Sequence, residues 1–379
     1  MSTLHAGVGY STASSPEEAV QEAFLAARKG SGQPALTLAF TTDAYAPYAL
    51  WRALLSQDGS SPLLGFQCGG VITREGMLEQ GIGIATIGGD ITVATSIETG
   101  LDGDPFSTGQ RLGSSLATRV PDGLALLLPN GFLPGAYEFT RGLYASMGPD
   151  YRYVGGASGD NRKFESTCQF TESALEQDAV AAALVSGCAI GAAIGHGWEP
   201  HGDPLVITRS QGKRLYELDG RPAFQVYSER LGVTIRRDAF RSYSMVNPFG
   251  FVDISGNYVI RDARAVNDDD SMDFVTELPE RAVARLMKGE VSALVEAARA
   301  VTGKATSEVD RPTLGLVFDC ISRYLLMGDR FNEEIDALVS GVGEDVPFLG
   351  ALTFGEIGSF EEVPLFHNKT IAAAVLGNR

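Results

Sequence analysis

An arginine, a cysteine and a glutamate near the C-terminal end are the residues best placed to do chemistry. Cys320 and Arg323 follow the apolar run from Thr313 to Phe318, and Glu356 stands in Phe354-Gly355-Glu356-Ile357-Gly358. A guanidinium and a carboxylate set across a glycine-lined cleft would grip the two charged ends of an amino acid. Paired with each other, the same two groups would instead lock their unit together. Cys320 opens the helix that carries Arg323, where a helix N-terminus lowers a thiol pKa and favours nucleophilic chemistry. Cysteine is also a common small buried hydrophobe, so a packing role stands beside the reactive one. A second set, Ser158, Asp160, Asn161 and Arg162, follows Gly155-Gly156 and offers hydrogen bonds and charge to the same kind of cleft, or stabilises its own turn.

The histidines suggest different chemistry. His196, Glu199, His201 and Asp203 crowd around Trp198 and Pro200, and His367 lies far downstream. Imidazole and carboxylate bind zinc, and imidazole alone binds haem iron. The spacing is not that of a metal-binding helix, and Pro200 favours a loop. No cofactor is predicted, with haem on His196, His201 or His367 as the alternative. The acidic run Asp268-Asp269-Asp270 with Asp273 lacks the alternating ligands and terminal glutamate of a calcium loop and reads as a solvated turn. Gly81-Ile82-Gly83 lacks the third glycine of a dinucleotide fingerprint, and neither a phosphate-loop lysine motif nor a GxSxG elbow is present.

The elements that position these residues repeat. Leu36 to Phe40 reads as a strand, Tyr48 to Leu55 as a helix, and Pro62 to Thr73 as a strand ending in a glycine turn. Leu124 to Pro129, Ala136 to Met147 and Tyr153 to Asp160 follow the same order, as does the unit from Thr313 to Asn378. Glycines at a strand end let backbone N–H groups face outward, where open α/β sheets take small ligands. Ser14-Ser15-Pro16-Glu17-Glu18 marks a helix start, with a capping serine, a proline at the first position and acids in the first turn. From Pro204 the texture changes to short strands, and the polar, basic stretch Arg236 to Tyr243 marks a join. The expected fold is α/β, with repeated strand-helix-strand units forming mixed sheets in two intimately joined domains, residues 1–240 and 241–379.

Composition bounds the partners. With 379 residues, 44% of them hydrophobic, the chain is long enough to bury a large core. A formal net charge of -17 disfavours nucleic acid and anionic membrane surfaces. Cys68, Cys168, Cys188 and Cys320 form no CxxC pair and suggest reduced thiols. No signal-peptide pattern opens the sequence and no stretch is apolar enough to span a bilayer, so a cytoplasmic protein without membrane insertion is expected and the sequon at Asn368 is incidental.

Several segments in this order resemble the FIST sensory domain family in both its N-terminal and C-terminal portions. They are Gly155 to Asp160, Gly197 to Pro204 leading to Val206-Ile207-Thr208, Tyr216 to Ala223, Phe318-Asp319-Cys320 with Arg323, and Gly355 to Gly358 with Asn368 and Thr370. The resemblance implies a small-molecule sensing module, often fused to kinase, cyclase or chemoreceptor outputs and proposed to bind ligands such as amino acids. Some relatives of this type are haem-binding nitric oxide sensors, which supplies the rival ligand. The recognisable modules take up the chain, so signalling through a separate partner is expected. The sequence therefore points to a sensor of an amino acid or small polar metabolite, with a haem-based gas sensor and an enzyme using Cys320 as nucleophile as alternatives.

Overall fold

The computed structural model describes residues 3–57, 61–132, 135–253, 255–361 and 363–379. Three repeats share one plan of strand, helix, strand, helix, strand and returning strand. In the first these are His5–Ser11, Pro16–Ser31, Leu36–Thr41, Pro47–Gln57, Leu63–Gln67 and Ile82–Gly88. The second uses Thr92–Thr99, Pro105–Ala117, Gly123–Pro129, Ala136–Met147, Tyr151–Gly156 and Ala179–Ser186. The third begins at Ala189–Gly195 and resumes with Val291–Ser307, Arg311–Cys320, the helices Ile321–Met327 and Phe331–Val342, then Phe348–Thr353 and Ile371–Asn378. In each repeat the two strands joined by a helical crossover are parallel and their outer neighbours are antiparallel.

The helix start read from the sequence is present. Ser15 Oγ accepts the Glu18 N–H at 3.3 Å, and Pro16 occupies the first helical position, where its missing donor costs nothing.

At each glycine break the chain leaves its own sheet and joins a neighbour's. Gly70–Thr73 of the first repeat pairs with Phe348–Thr353 of the third. Glu356–Gly358 of the third pairs with Tyr151–Gly156 of the second, and Gln169–Thr171 of the second pairs with Leu63–Gln67 of the first. The exchange is cyclic, so every six-stranded sheet is completed by a hairpin from another repeat. The breaks have steric causes. Gly355 holds a φ of +144°, and a Cβ there would lie 2.2 Å from the Phe366 ring, so no other residue makes this turn unstrained.

Side-chain alternation explains how the sheets pack. Leu36, Leu38 and Phe40, Leu124, Leu126 and Leu128, and Leu314, Leu316 and Phe318 all point into one common core between the sheets. The alternate residues Ala39, Ala125, Leu127 and Val317 face each repeat's own helices. Strands buried on both faces read as unbroken apolar runs, which is why they were legible.

Between the first strand of the third repeat and its helix lies an antiparallel sheet with a separate core of Leu205, Leu215, Phe249, Met272 and Leu286. Its strands include Glu199–Gln211, Arg214–Leu218, Phe249–Val252, Tyr258–Arg261, Ala263–Val266, Met272–Phe274 and Val283–Lys288. The join expected after residue 240 falls within this inserted region, at the helix Phe240–Val246. Among the described residues, no helix is long and apolar enough to cross a membrane.

Candidate functional site

The three glycine breaks meet at one place. Gly69 N donates to Leu352 O at 2.9 Å, Ala157 N to Gly355 O at 2.7 Å, Phe354 N to Ala157 O at 3.0 Å, and Gly159 N to Gln67 O at 3.1 Å. Where this junction faces the inserted sheet, a cleft of about 410 Å³ opens, a volume suited to a small metabolite. One wall comes from the second and third repeats: Gly131, Phe132, Phe164 and Phe354. The inserted sheet supplies the other, with Lys213, Arg264, Asp273 and Val275.

The charges in this cleft are unevenly satisfied. Asp273 is held by Arg214 at 2.7 Å, and Glu277 at the cleft's edge accepts the Gly135 N–H at 2.9 Å. Among the described residues, neither Lys213 nor Arg264 has a carboxylate within ion-pair distance. Partial burial pushes the Lys213 ammonium below its ordinary pKa; Glu277 opposes this through space, and Arg264 reinforces it. Two cations facing a hollow without a close counter-charge are ready to receive an anion. Two other hollows lack this property. In the groove beside Phe224 and Val233, Arg237 is paired with Asp268 and Asp270, and in the one beside Tyr151, Arg152 reaches Glu308 at 3.6 Å.

The segment Ser158 to Arg162 leads into Phe164, but none of its own residues lines the cleft. Ser158 is buried and bonds Thr167 Oγ1 at 2.6 Å. The Asp160 carboxylate accepts the N–H groups of Phe164 (2.9 Å) and Glu165 (2.8 Å). Asn161 and Arg162 follow at the turn, Arg162 with a φ of +64° and Phe164 with +56°. Left-handed backbone at non-glycine residues costs roughly 1–2 kcal/mol each. Here the Asp160 carboxylate offsets part of that cost, and the result is a phenylalanine ring held over the cleft.

Arg323, Cys320 and Glu356 are placed differently from the sequence expectation, and none of them lines the cleft. Arg323 is completely buried, and its guanidinium is held by Glu334 rather than Glu356, with Nε to Oε1 at 2.8 Å and a second bond from Nη2. Its other donors go to the carbonyls of His196 (2.6 Å) and Leu294 (3.0 Å), which leaves no free arm for a ligand. Asp319 Oδ1 stands 3.4 Å from Arg323 Nε, and burial, with Glu334 adding to it, raises the Asp319 carboxyl well above the ordinary range. Glu356 accepts from Thr353 Oγ1 and Thr370 Oγ1, each at 2.8 Å, and burial pushes it up to about 7. Burial, reinforced by Glu356, also raises the Cys320 thiol, which outweighs the lowering expected from a helix N-terminus.

The histidines do not fit haem. A haem ligand needs an imidazole nitrogen turned toward a cavity. His196 uses Nδ1 to accept the Trp198 N–H at 2.9 Å and Nε2 at the Tyr258 carbonyl, 3.0 Å away. His201 is exposed on the strand Glu199–Gln211. His367 Nδ1 is buried without a partner, but the ring is fully enclosed, packs 5.4 Å from Phe360 and holds the Gly358 carbonyl through Nε2 at 3.2 Å. Among the described residues, no group of three or more histidine, cysteine, aspartate or glutamate side chains is arranged to hold a metal.

Fold and cleft define an α/β protein with a ligand-sized recess between a repeat body and an inserted sheet. Residues 35–221 match the FIST N domain and residues 223–359 the FIST C domain, so the chain belongs to the FIST family, whose domains are associated with sensory small-ligand binding in signalling proteins. An uncharacterized protein of Methanocaldococcus jannaschii is 28% identical over 48% of this chain, which spans only 37% of that relative's length. An uncharacterized protein of Mycobacterium tuberculosis is 23% identical over 98% of this chain and 99% of its own. Among solved structures, PurLQS from Thermotoga maritima is similar at 9% identity and a TM-score of 0.25, covering 100% of this chain and 73% of that one.

Lys213, Arg264, Phe132, Phe164 and Phe354 line the cleft without being among the candidates the sequence offers. Lys213 lies in the turn between the strands Glu199–Gln211 and Arg214–Leu218, and Arg264 in the short strand Ala263–Val266, neither with a motif. Phe164 did leave a signal, an aromatic residue inside the polar turn Asp160-Asn161-Arg162-Lys163.

Proposed function

We propose that this protein is a sensor of a small anionic metabolite, an amino acid or other carboxylate, bound in the cleft between the repeat body and the inserted sheet. The observation that carries this reading is the pair Lys213 and Arg264, with no carboxylate at ion-pair distance among the described residues, in a chain whose formal net charge is -17. Because Asp273 is already held by Arg214, these two cations attract and orient an anion that the acidic surface repels. Lys213 and Arg264 hold the acid group, and Asp160 is a positioning residue that sets Phe164 over the cleft.

Contacts across the cleft offer a route for the bound state to spread. Glu277 of the inserted region accepts from Gly135 of the second repeat at 2.9 Å, and Thr276 Oγ1 donates to Asn368 of the third at 2.9 Å. A ligand that pairs with Lys213 alters the charge beside Glu277 and favours one arrangement of these contacts, a population shift that a separate signalling partner reads.

The test is thermal unfolding against a panel of amino acids and small carboxylates. At a hundredfold excess over its dissociation constant, a true ligand adds about 2.7 kcal/mol of stability. Lys213→Met and Arg264→Ala should each weaken that ligand at least tenfold while leaving the unliganded unfolding temperature within a few degrees. A panel without a stabilising acid, or a stabilising acid indifferent to both substitutions, would overturn the reading.

A further inference from the structure

We infer that the acid bound in this cleft carries a flat aromatic ring, making its class an aromatic carboxylic acid, aromatic amino acids included. The inference rests on the anion-binding reading above and adds the shape of the ligand's other end. Opposite Lys213 and Arg264, the cleft wall is a corner of three phenylalanines drawn from three separate segments. The ring centroids of Phe132 and Phe164 are 5.7 Å apart, those of Phe132 and Phe354 5.5 Å, and those of Phe164 and Phe354 5.3 Å. Phe354 meets both partners close to edge-on, at 77° and 75°. Aromatic pairs in this edge-to-face geometry gain more than the burial of their area alone supplies.

Two features set this corner apart from ordinary core. The Phe164 ring is 60% exposed, so apolar burial within the chain does not explain its position. Its loop is nonetheless fastened at two points: Asp160 accepts the Phe164 N–H at 2.9 Å, and Lys163 Nζ reaches Asp43 of the first repeat at 2.6 Å. A loop tied on both sides, with left-handed backbone at Phe164, presents an aromatic face to solvent where a ligand ring would cover it. The second feature is the space made for Phe354. A Cβ on Gly159 would lie 1.9 Å from the Phe354 ring, and one on Gly131 would lie 2.9 Å from its Cβ, so glycines of the second repeat admit this side chain of the third. An acid group on Lys213 and Arg264 places the remainder of a small ligand against these rings.

Calorimetric titration of the full chain with 3-phenylpropionate, 3-cyclohexylpropionate and propionate tests this. The phenyl acid should bind about tenfold more tightly than its saturated counterpart, the margin one to two aromatic contacts supply. Phe164→Leu, which keeps an exposed apolar side chain without a ring, should abolish that preference with little change in unfolding temperature. Equal binding of the phenyl and cyclohexyl acids, both weakened by Lys213→Met, would overturn the aromatic inference while the anion site stands. No binding of any acid, or binding unaffected by Lys213→Met, would overturn both.

Discussion

Glu356 is a buried carboxyl whose hydrogen bonds do not fully compensate for its removal from water. Its pKa of about 7 lies above the ordinary value of 4.5, so between those values the folded protein keeps a proton that the unfolded chain has released. Stability is therefore highest below the unfolded value and falls as pH rises through 7, by about 3 kcal/mol from this group. Glu356→Gln should remove that part of the fall in urea denaturation at pH 5 and pH 8. The raised carboxyls of Asp319 and Glu334 would leave a residual slope of the same sign. A variant as pH-dependent as the parent would contradict the assignment. At this scale the sequence was only partly legible. Arg323 was singled out, but its partner Glu334 was not, although Glu334 shares the buried stripe of its helix with Phe331, Ile335 and Leu338. A carboxylate on an apolar stripe signals a buried cation opposite, and Arg323 was the cation available.

The strand breaks are the elements on which the site depends. Gly159 and Gly355 each lie where a Cβ would strike an aromatic ring, Phe354 in one case and Phe366 in the other. Gly159→Ala should displace Phe354 from the cleft wall, lower stability by roughly 1–3 kcal/mol as overpacking does, and weaken ligand binding more than the exposed Phe164→Leu change weakens folding. Denaturation and titration of the same variant separate the two effects, and unchanged affinity would show that Phe354 is not part of the wall. The breaks were visible in the sequence as glycine clusters after apolar runs. Their consequence was not, because a break shows that a strand ends without showing which sheet the chain joins next. The pairing of Ile72 with Gly350 is a long-range choice set by space around the common core.

The cyclic exchange makes the three repeats interdependent over the whole molecule. Trp51 of the first repeat donates through Nε1 to Thr171 O, 2.8 Å away, on the hairpin contributed by the second, whereas Trp198 packs beside Lys369 of the third. With only 2 tryptophans, single replacements by phenylalanine leave one reporter at each place. Both variants should unfold at the same midpoint, each referred to its own calorimetric transition, because losing one hairpin opens a neighbour's sheet. Two separated transitions would mean that the repeats are stable alone. The repeated order and the mixed α/β class were legible because strands buried on both faces leave continuous apolar runs. The convergence of all three breaks beside the inserted sheet was not, since it depends on how the repeats close on one another.

That closure has a consequence during synthesis. The hairpin partner Gly70–Thr73 emerges from the ribosome long before Phe348–Thr353, the strand it lies against in the finished protein. Until then Val71 and Ile72, both completely buried in the finished protein, can pair only with Gly76–Leu78 of their own hairpin. The growing chain carries an unpaired apolar edge throughout that interval, when strands of this kind are prone to wrong pairing and benefit from chaperone protection.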